Sequence, residues 1–101
     1  MTPGQSEKVD AILEEIYTLM DRKSKDYSDE MIMQDKEDNV SKLGIAGVYV
    51  RMTDKMARLY KMIWLNKEAE IKEEGTEDAL KDLAVYCIIG LMLMRKVWKI
   101  K

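Results

Sequence analysis

The stretch LAVYCIIGLMLM, residues 83–94, is the most apolar part of this 101-residue chain and has twelve consecutive uncharged residues. A helix that crosses a bilayer needs about 20 such residues, so this stretch is too short to be a membrane span. Its all-round apolar character predicts a helix that is buried on several sides, in a bundle core or a subunit interface. Cys87, the single cysteine, falls inside it, and we predict a reduced core residue of a cytoplasmic protein.

Two further helices are predicted from apolar residues that recur at spacings of three and four. The first should run from about residue 6 to residue 24, with Ser6 as its N-cap. The second should run from Val48 to about Glu73. Gly75 separates it from a third helix, which we expect to begin after an N-cap at Thr76 and to end near Lys99.

The composition predicts a single all-α domain over residues 1–101. The chain is 47% hydrophobic, with five Gly and one Pro, which is too few for a turn-rich β-fold. Residues 25–47 lack a periodic pattern and predict a long loop with one short helix. We therefore expect three long helices and a short one in a compact bundle that is completed by oligomerisation. The formal net charge of −2 argues against duplex nucleic acid as a partner, and the polar N-terminal segment against a secretory signal.

Four charged residues, Arg51, Asp54, Lys55 and Arg58, form one stripe along the second helix because they are three or four residues apart. The spacing fits an intrahelical ladder of salt bridges worth a few tenths of a kcal/mol per pair. It fits equally well a ligand site in which the three cations contact phosphate.

A second unusual pair, Asp78 and Asp82, lies one turn apart at the start of the most apolar helix. Unpaired buried carboxylates are costly, so this pair should be neutralised by Lys or Arg or should coordinate a cation. Asp78 could instead only favour the positive end of its own helix. The chain has no His, so any metal must be held by oxygen, which favours Mg²⁺ or Mn²⁺.

The order and spacing of several short motifs resemble the phage and bacterial family called nucleotide modification associated domain 1, over roughly residues 23–95. The motifs are Lys25-Asp26-Tyr27, Asn39, Gly44 and Gly47, Arg51-x-x-Asp54-Lys55-x-x-Arg58, and Glu77-Asp78-x-Leu80-x-Asp82-Leu83-Ala84-x-Tyr86. That family is similar to the MazG-like all-α nucleoside triphosphate pyrophosphohydrolases, in which helical carboxylates hold Mg²⁺ while water attacks a nucleotide phosphate.

The resemblance implies a phage-type protein that acts on the (d)NTP pool in the cytoplasm as a homodimer or tetramer. Asp54, Asp78 and Asp82 would hold the metal, with Asp54 and Asp82 as the catalytic acids. The substrate would be bound by Lys25, Tyr27, Asn39, Arg51, Lys55 and Arg58. The sequence departs from the MazG pattern in one place, because only Asp54 stands where that superfamily has Glu-x-x-Glu. A single metal, or binding without hydrolysis, is therefore also an open interpretation.

Two other hypotheses need no catalysis. A small acidic helical protein could bind and inhibit a host defence or replication protein, using the acidic groups near residues 29–38 or 68–74. A structural oligomer without a ligand is the simplest interpretation.

Overall fold

The computed structural model describes residues 1–34, 44–66 and 75–97. Within these ranges the chain is helical and contains no strand, which confirms the predicted all-α class. Helix α1 spans Pro3–Gln34 and α2 spans Ile45–Leu59, and α2 runs directly into a π-helical turn, Tyr60–Trp64. Helix α3 spans Thr76–Met94.

Helix α1 begins earlier than predicted, because its N-cap is Thr2 and not Ser6. The Thr2 hydroxyl accepts the Gln5 backbone N–H at 3.2 Å, and the Gln5 side-chain oxygen accepts the Thr2 N–H at 2.9 Å. This reciprocal pair is a capping box, and Pro3 occupies the first helical position, where its fixed φ suits a helix start. The Thr-Pro-x-Gln signature was therefore the true start signal.

The same helix also ends later than predicted, at Gln34. The sequence interpretation placed a loop from residue 25, but residues 25–34 contain neither Gly nor Pro, and a helix can continue without an apolar stripe. Lys25 and Tyr27 therefore lie on α1 and not in a loop. Asn39 falls outside the described residues, as do the other residues from 35 to 43 of the segment in which a short helix was predicted.

Helix α2 starts after Gly44, whose backbone conformation is one that glycine adopts readily and other residues rarely do. Gly44 has φ 59° and ψ −129°, and its carbonyl accepts the Val48 N–H at 3.1 Å. The helix is shorter than predicted, since the Leu65 N–H bonds to the Tyr60 carbonyl and Asn66 then adopts a left-handed φ of 55°. Residues 67–74, where the prediction continued the helix, are not described.

Helix α3 has Gly75, and not the predicted Thr76, as its N-cap, and it ends at Met94, before the predicted Lys99. The Val97 N–H bonds to the Met92 carbonyl and the Lys96 N–H to the Leu93 carbonyl. These two bonds form a Schellman motif, in which Lys96 has the left-handed φ of 58° that glycine usually supplies.

The core lies where α2 and α3 approach each other most closely. Val48, Val85 and Ile89 are almost fully buried, and α1 covers them with residues that include Ile16, Leu19 and Met20. Gly90 permits the approach, because a Cβ atom there would lie 3.1 Å from the Ile45 Cδ1 atom.

Only part of the predicted apolar surface is packed. Val48 and Leu59 of α2 are buried, whereas Met56 of α2 and Ile63 of the π-helical turn are more than half exposed. Cys87 is exposed as well, so the prediction that it is a core residue was wrong. Its position on α3 is turned away from the face that carries Val85 and Ile89, which is the face that α1 and α2 cover.

Candidate functional site

One carboxylate connects all three helices. The Lys23 ammonium of α1 lies 3.1 Å from Oδ1 of Asp82 on α3 and donates a hydrogen bond to it. The Lys55 ammonium of α2 lies 3.0 Å from Oδ2 of the same carboxylate. The side chains of Asp82 and Lys55 are 17% and 18% exposed, while that of Lys23 is 38% exposed. The junction is therefore partly enclosed, and solvent reaches it from the α1 side.

The surroundings of Asp82 act on its pKa in opposite directions. Burial raises the pKa of the carboxyl, but the hydrogen bonds from Lys55 and Lys23 outweigh burial and leave the pKa below its ordinary value. The carboxylate is therefore ionised at neutral pH, and with two ammonium groups around it the cluster carries a net charge of +1. An ammonium has three N–H donors, so each lysine has donating capacity beyond the single bond that Asp82 accepts.

This junction resolves one alternative that the sequence left open for Asp82. Its charge is neutralised by lysine, as expected for a partly buried acid, and both of its oxygens contact ammonium groups. Asp78, one turn earlier, instead accepts the Gly75 backbone N–H at 3.3 Å through Oδ2. It thus serves the start of its own helix, which was the simpler of its two interpretations.

The predicted metal ligands are not brought together. Asp54 is exposed on α2, Asp78 holds the helix start, and Asp82 is shared by lysines. Among the described side chains, which are those of residues 1–23, 44–66 and 75–97, no three acidic or thiol groups lie closely enough together to hold a metal ion. Asp78 and Asp82 already accept hydrogen bonds from the protein, so a cation at either carboxylate would have to displace these contacts.

The three cations of α2 that were predicted to contact phosphate do not all lie in the Asp82 junction. Lys55 turns inward to Asp82, whereas Arg51 and Arg58 are exposed on the same helix, four residues before it and three after it. That spacing puts both guanidinium groups on the Lys55 side of α2. Lys25 and Tyr27 follow Lys23 along the backbone of α1.

Three residues that form ion pairs between helices were not predicted from the sequence: Lys23, Lys81 and Glu15. Lys23 carried no signal, because its partner lies 59 residues away. Lys81 bonds to Glu15 of α1 at 2.9 Å and to Glu77 at 3.2 Å, and these two hydrogen bonds raise its pKa. Only the Glu77 contact, four residues away on one helix, was visible as a pattern.

Lys81, Glu15 and Glu77 form a second ion cluster, which borders an open cleft between α1 and α3. The cleft has a volume of about 520 Å³ and is lined by charged side chains that include Glu14, Arg22, Asp78 and Lys81. Both acidic and basic groups line it, so it has no strong preference for one sign of charge.

Comparison with protein-family models, with curated proteins and with solved structures gave no match for this chain. None of the helices in the described ranges is both long and apolar enough to cross a membrane.

Proposed function

We propose that the protein binds a nucleotide through its phosphates at the junction of α1, α2 and α3. The observation that carries this proposal is the convergence of Lys23 and Lys55, from two helices, on the single carboxylate of Asp82. Clusters of partly buried charges add little net stability compared with apolar packing, so their use in binding is a reasonable expectation.

In this proposal the two ammonium groups are already positioned to bind an anion. A phosphate oxygen has the charge and acceptor character of the Asp82 oxygens that the lysines now contact. Arg51 and Arg58, exposed on the rim, would take further phosphate oxygens through bidentate contacts. Lys25, Tyr27 and Asn39 remain candidates for contacts with sugar or base.

The nucleotide itself comes from the family resemblance, which also implies the MazG-like arrangement, a homodimer or tetramer, and work on the cytoplasmic (d)NTP pool. We propose binding and assign no hydrolytic step, because the described part of the chain groups no three side chains of the metal-binding kind. Catalytic roles for Asp54 and Asp82 would require a rearrangement of the contacts described above.

Calorimetric titration of the protein with a dNTP and with inorganic pyrophosphate tests the proposal. Lys55→Gln should weaken binding of both by about tenfold or more, since a charge-assisted hydrogen bond is worth about 1.5–3 kcal/mol. Asp82→Asn should keep or strengthen binding, because it removes the carboxylate that competes for the lysines. Lys81→Gln, which removes a lysine from the other ion cluster, is the matched control and should bind as the wild type does.

A structural tie between helices would behave differently from a binding site. If Lys23 and Lys55 only fasten α1 and α2 to α3, Lys55→Gln and Asp82→Asn should both lower the unfolding temperature and neither should change anion affinity. That result, or no binding of pyrophosphate and dNTP by the wild type, would overturn the proposal.

Inhibition of a host protein is the second candidate, and one observation favours a macromolecular partner. Tyr49, Tyr60 and Trp64 lie exposed along α2 and its π-helical turn, and aromatic residues are enriched at protein interfaces. The acidic contacts expected near residues 29–38 and 68–74 involve side chains outside the described part, so they stay a prediction. A partner that is retained by Asp82→Asn and lost with Trp64→Ser would support this candidate.

A further inference from the structure

The outward surface of α3 is apolar along its length. Leu80, Leu91 and Met94 are 51%, 52% and 71% exposed, and Cys87 is exposed between them. We call these four residues, together with the half-buried Ala84, the α3 outer stripe. They lie on the side of the helix opposite Ala79, Val85 and Ile89, which face the core.

A solvated helix should present polar residues on its outer side, and α3 does not. Helices that are apolar on both sides are normally enclosed on both sides, and a long exposed apolar stripe marks an interaction site. On α1, exposed apolar residues such as Tyr17 are interspersed with exposed acids such as Asp10 and Glu14, whereas the five residues of the α3 outer stripe include no charged residue. The α3 outer stripe therefore needs an occupant.

The spacing of the stripe indicates another helix as that occupant. Residues 80, 84, 87, 91 and 94 are separated by four, three, four and three positions, which is the 3.5-residue repeat of a coiled-coil seam. A seam of this kind pairs with a similar seam, and in a closed two-fold dimer each copy contributes the same surface.

The charges at the two ends of α3 select the orientation. Glu77, whose side chain is 81% exposed, precedes the stripe, and the exposed Arg95 and Lys96 follow it. Parallel pairing would place like charges together at each end. Antiparallel pairing places the acidic end of one helix beside the basic end of the other, which is favourable at both ends.

We infer that α3 pairs in antiparallel fashion with α3 of a second copy of this chain, through the outer stripe, with the two Cys87 residues near the two-fold axis. Asp82 lies seven residues before Ile89, on the core side of the helix, so the pairing leaves the Lys23–Asp82–Lys55 junction uncovered in both copies. The inference does not depend on the proposed nucleotide binding, and the two can fail separately.

Light scattering after size-exclusion chromatography, over a range of protein concentrations, tests the pairing. The wild type should have the mass of two chains. Leu91→Arg should have the mass of one chain with unchanged helical circular dichroism, because Leu91 is already exposed within a single copy. Tyr17→Arg, a matched change at the exposed Tyr17 of α1, should remain a dimer.

Two further measurements test the position and direction of the pairing. A short bismaleimide reagent should convert the wild type into a covalent dimer, and Cys87→Ser should prevent this. Glu77→Arg alone and Arg95→Glu alone should each weaken the dimer, and the two changes combined should restore it.

A wild type with the mass of one chain at all concentrations would overturn the inference and assign the stripe to a different partner. Dimeric Leu91→Arg, or no crosslinking at Cys87, would also overturn it. Unchanged association of Glu77→Arg would exclude the antiparallel direction, because only that direction places Glu77 beside the basic end of the other copy.

Discussion

Lys55 on α2 and Asp82 on α3 form an ion pair of 3.0 Å between side chains that are each less than one-fifth exposed. The sequence had placed these two residues on opposite sides of a bound metal nucleotide, one with the phosphates and one with the metal. In the folded chain they are direct partners, and Lys23 completes the contact from α1.

The Asp82 contacts should make stability depend on pH in a defined direction. Because the folded pKa of Asp82 is below its unfolded value, its contribution is present above the unfolded pKa and is lost as the pH falls through the folded pKa. Asp82→Asn should therefore lower the free energy of unfolding by about 1 kcal/mol at pH 7, allowing for solvent screening.

Urea unfolding of both proteins at about pH 7 and about pH 2.5, on either side of the ordinary carboxyl pKa, measures this difference. The gap between wild type and Asp82→Asn should narrow at the acid setting. Asp10→Asn, at an exposed carboxylate, serves as the control and should show no gap at either setting. A gap that persists undiminished in acid would show that the asparagine disturbs packing and not charge.

Magnesium alone should leave the melting temperature unchanged. Both oxygens of Asp82 contact lysines and Asp78 accepts a helix N–H, so a cation would have to displace existing contacts before it gained ligands. Thermal melts with and without MgCl₂, using CaCl₂ as a control for ionic strength and charge, measure this. A rise specific to Mg²⁺ that Asp82→Asn abolishes would show that the acids regroup around the metal, as the family resemblance implies.

The closest approach of α2 and α3 should tolerate a methyl group but not a larger side chain at Gly90. A Cβ there would meet the end of the flexible Ile45 side chain at 3.1 Å, and Ile45 is exposed enough to move. Alanine also gains helix propensity of about 1 kcal/mol, so Gly90→Ala should be within about 1 kcal/mol of the wild type. Gly90→Val should be destabilised by about 1–3 kcal/mol through overpacking.

Chemical denaturation of the two Gly90 variants checks this order. Equal and large destabilisation by alanine and valine would mean that Ile45 cannot move aside.

A glycine in place of Lys96, at the C-terminal end of α3, should stabilise the protein. Lys96 has a φ of 58°, which costs a residue with a side chain about 1 kcal/mol relative to glycine. Lys96→Gly should raise the melting temperature, whereas Arg95→Gly, at a residue with φ −88°, should lower it or leave it unchanged. A lower melting temperature for Lys96→Gly would indicate that the Lys96 side chain stabilises the fold by more than its backbone strain costs.

Features that depend on neighbours along the chain were predictable from the sequence. Apolar spacing indicated three helices, and Gly44 and Gly75 lie at the starts of α2 and α3, near where the breaks were expected. Bounds were less accurate where no apolar stripe marks a helix, as in the last ten residues of α1, or where hydrogen bonding changes to a π-helical turn after Leu59.

The sequence by itself thus determined the all-α class, the order of the helices and the presence of an unusual charged stripe beside two acids, because each of these arises within a few turns of chain. Only the tertiary structure decided that Asp82 pairs with Lys23 and Lys55, that the three acids are not grouped around a common point, and that Cys87 faces outward. Those outcomes depend on how three helices rotate and pack against one another. That rotation is set by close contacts such as Gly90 with Ile45, between residues that are distant in sequence.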